Sequence, residues 1–185
     1  LDRHAGRGTG AVNAVPERPI LEYPDPRLRE RSAPVASFDD TVARLVDDLF
    51  DTLYATSGIG LSAPQLGTLQ RVLVMDHSGS ATAPEVYVNP ELLQRSATGF
   101  VEESCLSVPG ITGSVFRPTR VRVRAHDRTG ATFERGLEGM PAVCLQHEID
   151  HLDGKLFIDR LMPWRRLLIR LRRPAMRSAR ALESQ

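Results

Sequence analysis

Apolar positions recur at helical spacing in some stretches of this chain and alternate in others. Val42, Leu45, Val46, Leu49 and Leu53 follow a three-to-four spacing, which predicts a helix over residues 39–56 with one buried stripe. Asp39 and Asp40 suit its N-terminus and Gly58 its end. Residues 71–75 and 85–89 read as short strands joined by a polar loop. Residues 120–126 and 131–137 alternate, and Asp127-Arg128-Thr129-Gly130 supplies a turn between them, so they predict an antiparallel hairpin. A second helix is predicted over residues 141–154. Pro141 suits its first turn, where the missing N–H costs nothing, and Gly154 suits its C-terminal end. One stripe of this helix holds Cys144, His147, Glu148 and His151. Leu145, Ile149 and Leu152 occupy the other side, so both faces are expected to be buried.

Strands early, this helix late and hairpin-length turns predict an α+β fold with antiparallel sheets. A doubly wound nucleotide-binding fold would need regular β-α alternation, which is missing. Residues 1–18 are rich in Gly, Arg and Ala without periodicity and read as a flexible N-terminal tail. Residues 19–162 read as one domain and 163–185 as a basic C-terminal helical segment.

Composition narrows the picture. A chain of 185 residues fits one domain with a sizeable core. A formal net charge of +1 provides no global field for nucleic acid, and no DNA partner is expected. No apolar run approaches the roughly 20 residues that cross a bilayer, so no membrane partner is expected. The first twenty residues lack the apolar core of a signal peptide. Two cysteines make no disulfide framework, and a reducing cytoplasm is the expected location.

The chemistry sits in the second helix. His147-Glu148-Ile149-Asp150-His151 is an HExxH pattern. Positions four apart lie one turn above each other, so His147 and His151 can grip one ion while Glu148 takes a proton from its water. A catalytic site of this kind needs a third protein ligand and an open fourth position. Cys105, Glu102, Glu103, Asp150, Asp153 and Cys144 are the candidates. Asp150 points off the ligand face, and Cys144 is better suited to lining the site. Cys105 lies in a polar segment bounded by Gly and Pro, where a thiolate could be presented.

Three stretches occur in order: GIGLSAPQ from Gly58, ESCLS from Glu103 and QHEIDHLDG from Gln146. Taken alone, the first would be a plain loop, and it lacks the lysine of a phosphate loop. Together they resemble the three signature motifs of peptide deformylases, and the resemblance runs from about Ile20 to Met162. It implies an α+β fold with antiparallel β-sheets packed around the central HExxH helix. The activity implied is removal of the N-formyl group from formyl-methionine on newly made bacterial and organellar proteins. Ferrous iron held by one Cys and two His is the implied cofactor, with zinc or nickel expected as replacements in purified protein. Residue by residue, Cys105, His147 and His151 are implied as ligands and Glu148 as general base and acid. Gln65 and the Leu106 N–H are implied as oxyanion donors. Ile59 and Gly60, with Gly110 opposite, are implied to pair with the substrate backbone, and Val143, Cys144 and His147 to line the methionine pocket.

Two positions depart from the family pattern. Ser62 stands where Ala is common and is expected to find a hydrogen bond. Ser104 stands where Gly is common and would be strained if its φ were positive. Beyond the motifs, residues 162–173 predict a short amphipathic helix with Leu167, Leu168 and Leu171 in one stripe and arginines on the rest. Two readings of it stand: docking on the ribosome, or packing of Leu167 and Leu171 on the domain with solvated arginines.

Overall fold

A computed structural model of the chain describes residues 18–169 and 171. The expected N-terminal tail, except Arg18, and the C-terminal segment beyond residue 171 lie outside the described residues. The elements run in the order α1 (Asp40–Tyr54), β1 (Gly60–Ser62), β2 (Val72–Met75), β3 (Glu85–Ser104), β4 (Thr112–His126), β5 (Thr132–Glu138) and α2 (Met140–Leu152). Residues 163–169 form a further helix, α3. The five strands make one antiparallel sheet in sequence order. Each strand simply turns back beside the last, which hairpin-length connections allow.

Alternation along β2 explains the layering. Val72 and Val74 point to one face of the sheet and pack with Val42, Leu45, Val46 and Leu49 of α1. Leu73 and Met75 point to the other face and pack with Leu145, Ile149 and Leu152 of α2. The sheet is therefore covered by one helix on each side. Asp39 caps α1, its carboxylate accepting from the Thr41 and Val42 N–H groups. The C-terminal cap of α1 is Ala55, not Gly58. The helix ends earlier because Thr56 Oγ1 donates to the Leu53 carbonyl and accepts from the Gly58 N–H, which closes the chain into a turn.

α2 is buried from Ala142 to Leu152, as expected for a helix with no solvated face. Gly139 and Pro141 start it and Asp153 ends it. Gly154 follows with φ of 70°, and a Cβ there would come 2.4 Å from the Arg29 carbonyl oxygen. The position therefore needs glycine for its backbone conformation and for this close approach.

The largest departure from expectation is β3. Periodicity ends it at residue 89, but it continues to Ser104, and β4 begins at Thr112 instead of 120. Register shifts between Val88/Glu91 and Leu92/Gln94 accommodate Pro90, which cannot donate to a ladder. Beyond them β3 and β4 form a two-stranded ribbon. Glu103, Val115 and Arg117 face inward and are buried, while Phe100, Glu102, Ser104 and Phe116 face outward. Ser104 has an ordinary extended backbone without positive φ, so the strain considered for it does not arise. The segment 60–65 is likewise no plain loop. β1 pairs with β2, and a 3-10 turn follows over Ala63–Leu66.

In α3, Ile169 is buried in a cluster with Leu156, Phe157 and Leu161. Trp164, Leu167, Leu168 and Leu171 are all exposed. The apolar stripe therefore faces out, and Ile169 attaches the helix. No helix among the described residues is long and apolar enough to cross a membrane.

Candidate active site

α2 and the tip of the β3–β4 ribbon build the site. His147 and His151 lie one turn apart with ring centroids 5.1 Å apart. The loop after β3 brings Cys105 to them, with Sγ 3.2 Å from His151 Nε2. One donor atom each from Cys105, His147 and His151 lies within 4.8 Å of the others. Three such donors can hold one ion and leave a fourth position open. Sulfur and imidazole together suit a first-row transition metal.

The surroundings fit that use. His147 Nδ1 lies 2.8 Å from Glu103 Oε2, which fixes the ring and leaves Nε2 toward the other donors. Glu103 is held from behind by Arg117, whose Nε and Nη2 donate to its two oxygens. Arg117 Nη1 also donates to Asp150 Oδ2 at 2.7 Å, and Arg160 donates to both Asp150 oxygens. Arg117 is only 1% exposed, so this is a buried chain of charges ending on His147. Asp150 does point off the ligand face, and these two arginines are its partners. Burial would raise the Glu103 pKa, but Arg117 and His147 hold it below its usual value.

Glu148 is buried, and its Oε2 has no hydrogen-bond partner among the described residues. A buried oxygen in that state is costly unless a ligand or water meets it. Burial pushes the Glu148 carboxyl up from its usual value, against the opposing charge of His147. Burial holds the His151 pKa well down, and repulsion by His147 adds to the effect. Burial alone would lower His147 too, but hydrogen bonding with Cys105 and Glu103 pushes it up to about 10. The Cys144 thiol is pushed well up by burial and then by the charge of Glu148, which suits a neutral wall and not a ligand. Both cysteines are free.

Gln65 is fixed by four contacts. Its Oε1 accepts from the Ser62 N–H at 2.9 Å and the Ser62 hydroxyl at 2.8 Å. Its Nε2 donates to Ser107 Oγ at 3.1 Å and lies 3.9 Å from Cys105 Sγ. Ser62 thus finds the expected hydrogen bond and orients the amide toward Cys105. The Leu106 N–H has no backbone acceptor among the described residues. Gly60 packs directly on α2: a Cβ there would lie 2.7 Å from Cys144 Sγ and 3.0 Å from Glu148 Oε1.

These groups open on a cavity of about 480 Å³. Ile59, Gly60, Gln65, Cys105, Leu106, Val143, Cys144, His147 and Glu148 line it, as do Glu102, Ser104 and Met140. His151 and Gly110 are not among the residues that line it, whereas Pro109 is. Sequence reasoning missed Arg117 and weighed Glu103 only as a ligand. A charged residue within a strand shows its burial only once the pairing of that strand is known.

A hydrolase that uses a metal ion needs ligands, a base and a donor for the developing charge in one place. This chain brings such residues together, and its class is that of a metal-dependent hydrolase. The family model described as polypeptide deformylase matches residues 17–167. A peptide deformylase of Alkalilimnicola ehrlichii is 53% identical over 152 residues, covering 82% of this chain and 85% of the relative. One of Pseudomonas aeruginosa is 49% identical over 153 residues, covering 82% and 90%. The crystal structure of a peptide deformylase from Legionella pneumophila superposes with a TM-score of 0.83 at 44% identity, covering 89% of this chain and 97% of that one. The chain belongs to the polypeptide deformylase family. It is an enzyme that removes the N-formyl group from nascent peptides.

Proposed function

We propose that Cys105, His147 and His151 hold one divalent ion, ferrous iron in the active enzyme, and that Glu148 acts as general base and then general acid. The observation that carries this reading is the convergence of the three donor atoms within 4.8 Å, with the unpartnered Glu148 Oε2 buried in the same site. An ion held there would supply Lewis acidity, which makes hydroxide available near neutral pH. Glu148 accepts a proton from the attacking water and returns it to the leaving amine, so formate and a free N-terminus result. Gln65 Nε2 and the Leu106 N–H donate to the formyl oxygen as it gains charge. Each such donor typically contributes about 3–4 kcal/mol to the transition state. Val143 and Cys144 line the pocket for the methionine side chain, and Ile59 and Gly60 pair with the substrate backbone.

Metal content of single variants tests these roles. Cys105→Ala, His147→Ala and His151→Ala should lose the ion, and Glu148→Ala should keep it. Loss of metal from Glu148→Ala would overturn the base assignment. The iron reading predicts activity that falls in air or peroxide, since a ligand thiolate and ferrous iron are both oxidisable. Full, peroxide-stable activity with zinc bound would contradict it.

The proposed location is the cytoplasm, where free thiols persist. The proposed further partner is the ribosome, through residues 163–185. The exposed stripe of α3 and its neighbouring arginines support this. RNA contact would be salt-dependent, because each neutralised phosphate releases counterions. Truncation after Arg173 retains Ile169 and its packing, and truncation after Met162 removes both. Ribosome pelleting across a salt series, with formyl-peptide turnover as folding control, separates docking from a role in the fold.

A further inference from the structure

Two aromatic side chains have no role in the reaction described above. Phe100 is 75% exposed and Phe116 is 55% exposed. They stand directly opposite each other on β3 and β4, with ring centroids 5.2 Å apart in an edge-on arrangement. Beside them the polarity of the ribbon is inverted: Arg117 is buried while the phenylalanines face water.

Their place on the ribbon relates them to the cavity. Side chains on one face of a strand recur every two residues, so Phe100, Glu102 and Ser104 share the outward face of β3. Glu102 and Ser104 line the cavity. Among the described residues β2 pairs with β3 only from Glu85 to Val88. From residue 99 to 104, the edge of β3 away from β4 therefore carries no strand among the described residues. An open strand edge that leads out of a peptide-binding cavity can take an extended peptide as an added strand.

We propose that the substrate chain beyond formyl-methionine follows this edge, and that Phe100 and Phe116 bind an apolar or aromatic side chain at its fourth or fifth residue. This rests on the reading of the cavity as the formyl-methionine site. From Ser104 to Phe100 is four residues, roughly 13 Å at about 3.3 Å per residue. An extended peptide covers the same distance in the same number of residues. A first residue held beside Cys105 thus brings the fourth or fifth beside Phe100. The enzyme would then discriminate among nascent chains by residues well past the one it deformylates.

The test uses the full chain, metal-loaded, with three substrates: formyl-Met-Ala-Ser, formyl-Met-Ala-Ser-Ser-Ser-Ser and formyl-Met-Ala-Ser-Leu-Phe-Ser. The Leu-Phe peptide should exceed the all-serine one in kcat/KM by about five- to tenfold, the scale of one partly buried apolar side chain, with the change in KM. F100S/F116S should abolish that difference. Its turnover of formyl-Met-Ala-Ser, which is too short to reach the pair, and its thermal midpoint should stay near those of the parent. F100L/F116L keeps the apolar surface and should keep the preference. Equal kcat/KM for the two long peptides in the parent, or a preference that survives in F100S/F116S, overturns the proposal. No formate from any of the three would instead overturn the reading on which it rests.

Discussion

Replacing Arg117 with methionine removes the cation at the centre of the buried network and keeps most of its volume. In the parent, Arg117 gives Glu103 both of its guanidinium contacts, and among the described residues the only other side chain bonded to Glu103 is His147. Asp150 is less exposed to the loss, because Arg160 still donates to both of its oxygens. The cost is therefore dominated by one carboxylate left buried without its cation. Breaking a buried pair in this way typically costs about 3–5 kcal/mol. For a domain of this size that corresponds to a fall of about 10 °C or more in thermal midpoint. A second effect reaches the site, because Glu103 fixes His147. Loss of such support typically weakens metal affinity by about 10–100-fold. Adding Glu103→Gln removes the stranded charge, so the double variant should be more stable than the sum of the two single losses predicts. Urea unfolding of all four chains, followed by circular dichroism, with chelator competition for the metal, measures both effects. A cost below about 1 kcal/mol for Arg117→Met, or additive losses in the double variant, would refute the reasoning.

Gly60→Ala places a methyl group 2.7 Å from Cys144 Sγ and 3.0 Å from Glu148 Oε1. It should lower kcat/KM about tenfold or more at unchanged metal content, since small misplacements of catalytic groups are costly. Cys144→Ala in the same chain should restore part of the loss. The Tyr54–Asp76 pair sets a pH window for stability. Ser78 first, then Tyr54 and Ala83, hold Asp76 below its usual value against burial, so its contribution is full above about pH 4 and fades as pH falls through its folded value. Burial first, then Asp76, raises Tyr54 to about 12. Its contribution is therefore full below about pH 10 and lost as pH rises through its folded value. Tyr54→Phe should flatten the alkaline arm of a midpoint-versus-pH curve and, by removing one of the donors that lower Asp76, soften the acid arm to a lesser degree; identical alkaline arms would count against the pair.

What could be read in the sequence was what is local. The spacing of His147 and His151 on one helix face follows from helix geometry alone, and so does the two-sided burial of α2. The stripe of α1 is legible for the same reason, while its end is not, because a side-chain turn at Thr56 stops the helix before Gly58. The β3–β4 ribbon was hidden by Pro90, Pro118 and an outward face of mixed polarity. Arg117 was hidden more deeply. Hydrophobicity alone would bury Phe116 and expose Arg117, and the structure does the reverse because the inward position meets Glu103 and Asp150. Those partners lie 14 and 33 residues away, so no local window contains the reason. Local spacing leaves Cys105 one of six candidate ligands, and only its motif taken together with the other two singles it out.

Formate release from formyl-Met-Ala-Ser tests the central claim most directly, measured on parent and Glu148→Ala with metal content determined on the same samples. The metal-loaded parent should release formate. Glu148→Ala should fall by about 10²–10⁴-fold, the usual cost of losing a general base, at equal metal content. No formate from the metal-loaded parent, or near-parental turnover by a Glu148→Ala chain that holds its metal, would contradict that claim.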